Sequence, residues 1–349
     1  MGCGGAGIQG DSLILGSVIM GFSSKPITVS EPFRDGPRAD LALSGDEIHV
    51  WRASLDLPDI PMEVLRETLD KDELQRAERF RFPEQRRRFI VARGILRMLL
   101  ARYLRKPAVR ITFEYNRYGK PFLREEESNL HAGVSPDSAR TFPGRDDVVQ
   151  FNLSHSKGMV LYAFSLDRRV GIDIEWVRRK ISDTDRIVAR FFSPREAKIL
   201  LGVPEHCKKD AFFGCWTRKE AYIKARGKGL SIPLDRFEVI PTSGEMMYSS
   251  GSANSPGRTE SIGCHDGMGR RRVDEAVGSH PLLFGCRAES RHGGCDAWRL
   301  VRPVTLTAHD GSRQATWGIR TFDVGNDYMA AVAVEGEGWL MKRWQWRGI

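Results

Sequence analysis

The chain holds six cysteines among its 349 residues, yet no two of them form a CxxC pair. That excludes the paired-thiolate zinc ribbon and the thioredoxin-type redox motif, and it fits reduced thiols in a cytoplasmic protein. Cys264, His265, Cys286, His292 and Cys295 fall together in the chain, but their spacing matches no common zinc finger. Long apolar runs are missing as well. The stretch "ILGSVIMGF" at 14–22 is too short and too Gly-rich to cross a bilayer, and no basic segment precedes it as in a secretory signal. The opening "MGCGGA" has Gly2 but lacks the Ser or Thr that a myristoylation signal carries at position six, so it reads as a disordered leader. There is no GxSxG elbow for a hydrolase. Eight tryptophans are present, but no aromatic-basic RNA motif and no recognition helix.

What the chain does have is positive charge. Lys and Arg number 54 against 45 Asp and Glu, a net charge of +9, which favours anionic partners. A 41% hydrophobic share is enough for an ordinary core. Residues 1–45 show no sustained period and read as a loose extension. Residues 46–156 read as one α+β half, 157–242 as a second, and 314–349 as its closing strands and tail. Residues 243–313, rich in Gly, Ser, Arg and His, read as a flexible insertion.

Within this frame, "EQRRRFIVARGILRMLLARYL" carries Phe89, Val91, Ile95, Leu96, Leu99, Leu100 and Tyr103 on one broad helical face, with its arginine run read as the solvated side. "VRITFEYNRYGKPFL" reads strand, turn, strand, with Gly119 in the turn. "MVLYAFSLDRRVGIDIEWV" reads as a hairpin around Asp167-Arg168-Arg169, and "LSIPLDRFEVI" as a further strand. "FFSPREAKIL" predicts a helix capped by Ser193, with Pro194 in its first position and Glu196 closing a capping box.

Three stretches carry chemistry. In "VGIDIEW", alternation puts Val170, Ile172 and Ile174 on one face and Asp173 and Glu175 on the other. Neighbouring carboxylates repel, so the pair reads either as a hard-cation site of the Mg²⁺ type or as a solvated strand face. In "WTRKEAYIKARGKG", Trp216, Glu220 and Lys224 share one helical stripe, with Lys219 beside it. A helix packed over that strand would let Glu220 join the two acids; otherwise it is a surface Glu–Lys pair. "FNLSHS" puts Ser154 and His155 in a loop after a strand, suited to contacting a ligand.

Taken in order, "YGKP" (118–121), "FNLSHS" (151–156), "GIDIE" (171–175), "FFSPRE" (191–196) and "WTRKEAYIKARGKGLSIPL" (216–234) resemble the Sfp-type 4′-phosphopantetheinyl transferases. The resemblance implies a pseudo-twofold pair of similar α+β halves, with the substrate between them. It implies Mg²⁺-dependent transfer of the phosphopantetheine arm of coenzyme A to a serine of an apo acyl or peptidyl carrier protein, with Mn²⁺ able to substitute and adenosine 3′,5′-bisphosphate released. Asp173, Glu175 and Glu220 then correspond to the metal ligands. Glu220 is the base or the holder of a basic water, and Lys224 offsets charge on the leaving phosphate. Arg76, Arg93, Tyr118, Gly119, Lys120, Pro121, Asn152, Ser154, His155, Asp173, Lys219 and Lys224 correspond to contacts with coenzyme A. A cytoplasmic monomer with no nucleic-acid or membrane partner is implied. The alternative is an inactive homologue that binds coenzyme A or a carrier without transfer.

Overall fold

The computed structural model describes residues 32–37, 41–56, 62–124, 148–240, 303–310, 313–325 and 327–348. Most of the leader and most of the insertion, with Cys264, His265, Cys286, His292 and Cys295, lie outside this set. Among the described residues two large sheets carry the fold, beside a two-stranded ribbon of β3 (Phe113–Tyr115) and β4 (Pro121–Leu123). The first runs β1 (Arg34–Asp35), β11 (Leu340–Gln345), β2 (Glu47–Ser54), β6 (Met159–Leu166), β5 (Val149–Ser156). The second runs β7 (Val170–Trp176), β10 (Tyr328–Glu335), β9 (Arg313–Phe322), β8 (Val304–Asp310), all antiparallel.

Strict alternation sorts each strand between two cores. In β6, Val160, Tyr162 and Phe164 face a cluster made with Val91, Ile95, Leu96 and Leu99 of helix α3 (Pro83–Leu104), which follows the short helices α1 (Met62–Glu67) and α2 (Lys71–Glu78). Leu161 and Ala163 face the other way, into an inter-sheet core shared with Ile172, Ile174, Val332 and Val334. In β10, Met329, Ala331 and Ala333 face a third cluster with the long helix Glu205–Arg226. The layers are therefore helix, sheet, sheet, helix, an α+β arrangement of two like units. Between β7 and the long helix lie two helices, α4 (Thr184–Phe191) and α5 (Pro194–Gly202), which makes the long helix α6. The Ser193 capping box forms as the sequence predicts, with Ser193 Oγ accepting from Glu196 N and Glu196 Oε2 accepting from Ser193 N.

Five expectations are corrected. The expected hairpin of β6 and β7 does not form. β6 already has β2 and β5 as neighbours, so the turn at 167–169 carries the chain over to the second sheet, where β7 pairs with β10. "LSIPLDRFEVI" forms two 3₁₀ turns, Gly229–Ser231 and Leu234–Arg236, instead of a strand. Buried side chains satisfy its backbone: Lys219 Nζ donates to Leu234 O and Phe237 O at 2.6 Å each, and Glu196 Oε1 accepts from Val239 N at 2.7 Å. The tail does not end in the second unit, since β11 lies parallel to β2 in the first. The insertion is shorter than its composition suggests, because β8 begins at Val304. Part of the expected loose extension is likewise structured: β1 pairs with β11, and Leu41 and Leu43 are buried.

One buried polar network sits in the first unit. Trp51 Nε1 donates to Tyr103 Oη at 2.8 Å, and Tyr103 Oη lies 2.9 Å from His49 Nδ1. The tyrosine proton is then free to point at the imidazole, leaving the Nε2 proton for Glu47 Oε2 at 3.1 Å. Burial holds His49 below its ordinary pKa, against the opposing pull of Glu47.

Candidate active site at the seam between the sheets

Strands β5 and β7 run side by side at the seam without sharing a backbone ladder. Side chains stand in for it. Asn152 Oδ1 accepts from Ile172 N at 2.9 Å, and Ser156 Oγ accepts from Trp176 N at 2.9 Å. Ser154 Oγ donates to Asp173 Oδ1 at 2.9 Å, and Ser156 Oγ to Glu175 Oε2 at 3.2 Å. The "FNLSHS" segment is thus strand rather than loop, and its polar residues are spacers that hold two edges apart. Asn152 is buried as a strut of this kind.

Helix α6 crosses β7 at backbone distance. A Cβ at Gly171 would stand 2.2 Å from both Ala221 O and Ala225 N, so only glycine allows the approach. The contact sets Glu220 and Lys224 against the Asp173 face of β7. Lys224 Nζ donates to Asp173 Oδ1 at 2.6 Å and to Ser154 Oγ at 2.9 Å. Asp173 is buried, and its Oδ2 has no hydrogen-bond partner. Glu220 is pushed up to about 7, by burial first and then by the charges of Asp173 and Glu175, with Lys224 opposing. Burial and Asp173 likewise raise Glu175, which accepts from Arg179 Nη2 at 3.1 Å. The carboxylates therefore feel one another, although among the described residues no three acids or other ligands form a ready-made metal cage.

Cations surround these acids. Desolvation in the seam, then the charges of Lys224 and Arg88, hold His155 below its ordinary pKa. Arg88 was hidden in the sequence as the third of three arginines read as solvated. The structure fixes it through Asp56, with Nε and Nη2 donating at 2.8 and 2.7 Å. Arg88 also pairs with Glu84 one turn back at 2.7 Å, but nothing in "QRRRF" marks the contact with Asp56, 32 residues away.

The remaining expected contacts are placed differently. Lys219 is fully buried, paired with Glu196 at 2.7 Å, and braces the second unit's core instead of meeting a ligand. Arg93 is buried with its Nε 2.8 Å from Glu73 Oε1, its guanidinium over Phe113 at 4.7 Å, and a bond to Tyr115 Oη. Arg76 is exposed and lines a cavity of about 590 Å³ with Arg79, Phe80, Phe113 and Tyr115; none of the seam acids lines it. Tyr118, Gly119 and Lys120 stand in the turn between β3 (Phe113–Tyr115) and β4 (Pro121–Leu123), with Gly119 at φ +82°, and Pro121 opens β4 opposite Tyr115. The Lys120 ammonium is turned inward onto carbonyls of Val170 and Lys224 at 3.0 and 2.8 Å.

Paired units that set clustered carboxylates among lysine, histidine and arginine define a site for polyanion chemistry, where fixed charges do most of the work. Comparison with known proteins gives that class its family. Residues 60–166 match the model described as "4'-phosphopantetheinyl transferase, N-terminal", and residues 169–262 match that of the "4'-phosphopantetheinyl transferase superfamily". The chain is 42% identical over 205 residues to the 4'-phosphopantetheinyl transferase HetI of Nostoc sp., covering 58% of this chain and 78% of that protein. It is 29% identical over 189 residues to the 4'-phosphopantetheinyl transferase Sfp of Bacillus subtilis, covering 54% and 74%. A Xenopus laevis L-aminoadipate-semialdehyde dehydrogenase-phosphopantetheinyl transferase shares 30% identity over 182 residues, covering 50% and 55%. The chain belongs to the 4′-phosphopantetheinyl transferase family, enzymes that place phosphopantetheine on carrier proteins. Among the described residues no helix is long and apolar enough to cross a membrane.

Proposed function

We propose that the chain moves the 4′-phosphopantetheine arm of coenzyme A onto a serine hydroxyl of an apo acyl or peptidyl carrier protein, with Asp173, Glu175 and Glu220 holding Mg²⁺. The observation that carries the reading is the buried, half-unpartnered Asp173 beneath Glu220 and Lys224. An all-oxygen donor set with one buried carboxylate oxygen unpartnered suits a hard cation, and Mn²⁺ would be accepted by the same oxygens. Once bound, such an ion supplies Lewis-acid polarisation of the pyrophosphate and neutralises charge that builds on it.

The chain's own residues do the rest. The carrier serine oxygen attacks the phosphorus that bears pantetheine, and the bond from that phosphorus to the bridging oxygen breaks. Adenosine 3′,5′-bisphosphate leaves. Glu220 takes the serine proton directly or through one water, a role that its raised pKa suits. Lys224, held by Asp173 and Ser154, offsets charge on the departing phosphate. His155 and Arg88 supply positive charge for the coenzyme's phosphates, and the 118–121 turn receives its adenine. The two units, which meet at the 167–169 turn and not at 156/157 because β6 and β11 belong to the first sheet, bracket the substrate between them.

The test is a mass measurement on apo carrier proteins of the fatty-acid, polyketide, nonribosomal-peptide and lysine-synthesis types, each incubated with the chain, coenzyme A and Mg²⁺. A gain of one phosphopantetheine that chelator abolishes supports the reading. No gain on any carrier overturns it.

A further inference from the structure

The C-terminal end of α6 is gripped from the other unit. Helices leave their last carbonyls without intrahelical partners, and this helix ends within one turn of Lys224. Two side chains of the β3–β4 turn fill that need. Asn116 Nδ2 donates to Gly227 O at 2.6 Å. Lys120 Nζ donates to Lys224 O at 2.8 Å, Val170 O at 3.0 Å and, more weakly, Ala225 O at 3.5 Å. The same Asn116 shapes the turn it stands on. Its Oδ1 accepts from Tyr118 N at 2.9 Å and Lys120 N at 3.0 Å, which also fixes which end of the amide faces Gly227. The backbone closes the loop: Asn116 N donates to Lys120 O at 3.0 Å and Gly119 N to Asn116 O at 2.9 Å. Gly227, at φ +66°, brings its carbonyl round to the asparagine, and a Cβ there would stand 3.2 Å from Asn116 Nδ2.

Burial, then the charge of Arg169, lowers Lys120 to about 7. Proton loss does not release the grip, since a neutral amine keeps two N–H donors for Val170 O and Lys224 O. A lysine spent wholly on main-chain carbonyls has no donor left for a phosphate.

We propose that Asn116 and Lys120 are positioning residues that clamp the end of α6 to the first unit and so fix where Lys224 and Glu220 stand during transfer. The clamp joins the turn assigned to adenine directly to the helix that carries the reacting groups. The assignment rests on the transfer reading above, so its test has one arm that does not.

Asn116→Ala and Lys120→Met are compared with the wild-type chain, using coenzyme A and a carrier that the wild type modifies. The expected result is a kcat lowered roughly ten- to a hundredfold in each variant, because small misplacements of reacting groups carry costs of that size. KM for coenzyme A stays within about twofold in Lys120→Met, whose side chain faces carbonyls, and rises by less than kcat falls in Asn116→Ala, which also loses bonds inside the turn; the double variant falls short of the product of the single effects. In parallel, amide hydrogen exchange on the proteins without substrate is faster at residues 224–228 in Asn116→Ala. A rise in KM that accounts for the lost kcat/KM, with kcat kept, would make Lys120 a ligand contact and overturn the clamp. Unchanged kinetics or unchanged exchange overturns it too. If Lys120→Met does not fold, Asn116→Ala decides alone. If the wild type modifies no carrier, the transfer reading fails while the exchange arm still judges the clamp.

Discussion

Lys224 and Asp173 form a 2.6 Å ion pair across a helix–strand contact in which backbone meets backbone at Gly171. The pair is possible only because strand and helix approach that closely. Gly171→Ala is expected to force the helix away, as overpacked contacts destabilise by about 1–3 kcal/mol or more. Urea unfolding measures that loss, and carrier modification by the folded fraction is expected to fall with it. A variant with wild-type stability and wild-type transfer would contradict the argument.

Glu220 gives a pH-dependent prediction. Its folded pKa of about 7 lies above the ordinary 4.5, so the folded protein holds a proton that the unfolded chain releases in that window. Stability therefore falls as pH rises from about 4.5 through 7. Glu220→Gln removes the penalty, on the order of 3 kcal/mol above pH 7. The variant is expected to melt several degrees above wild type at pH 8, with the gap closing toward pH 5, while transfer is lost. Adding Mg²⁺ raises the wild-type melting temperature more than that of the variant.

Lys224→Met strips Asp173 of its counter-ion while leaving the carboxylate buried. Transfer is expected to fall at least a hundredfold, and stability by roughly 3 kcal/mol, the scale for a broken buried pair. Adding Asp173→Asn restores much of the stability and none of the transfer. Melting curves beside the mass assay separate the two effects.

Lys219 and Glu196 make the converse case, a buried pair remote from the chemistry. Lys219→Met is expected to cost about 3–5 kcal/mol by leaving the glutamate uncompensated. At a temperature where the variant is folded, KM for coenzyme A is expected to stay at the wild-type value. A KM raised tenfold would return Lys219 to the ligand.

His49 acts on the acid side. Its folded pKa is lowered, so the unfolded chain takes up the extra proton and stability drops as pH falls below about 6.5. The slope reaches at most about 1.4 kcal/mol per pH unit. Replacing His49 by Gln is expected to flatten unfolding free energies between pH 7 and 5.

Local pattern made much of the site legible. Alternation in "VGIDIEW" put Asp173 and Glu175 on one face, and the 216–220–224 stripe put Glu220 and Lys224 together. The motif order recovered the family. What stayed hidden depends on distant partners. Arg88 is defined by Asp56, the inward turn of Lys120 by the end of α6, and the burial of Lys219 by Glu196. Residue type says that a lysine is cationic; only packing says whether it faces a ligand or a carbonyl. The β6–β7 hairpin failed for a similar reason, since sequence proximity does not reveal that β6 already has two neighbours.

The strand Leu340–Gln345 lies between β2 and β1, more than 280 residues away along the chain. The chain leaves the first sheet, builds the second, and returns to complete the first. The first unit is thus not a separable fragment: cutting the chain at 167–169 would leave β2 with a bare hydrogen-bonding edge, the kind of surface that recruits other chains. The first sheet reaches its full width only when residues 340–345 take their place between β1 and β2.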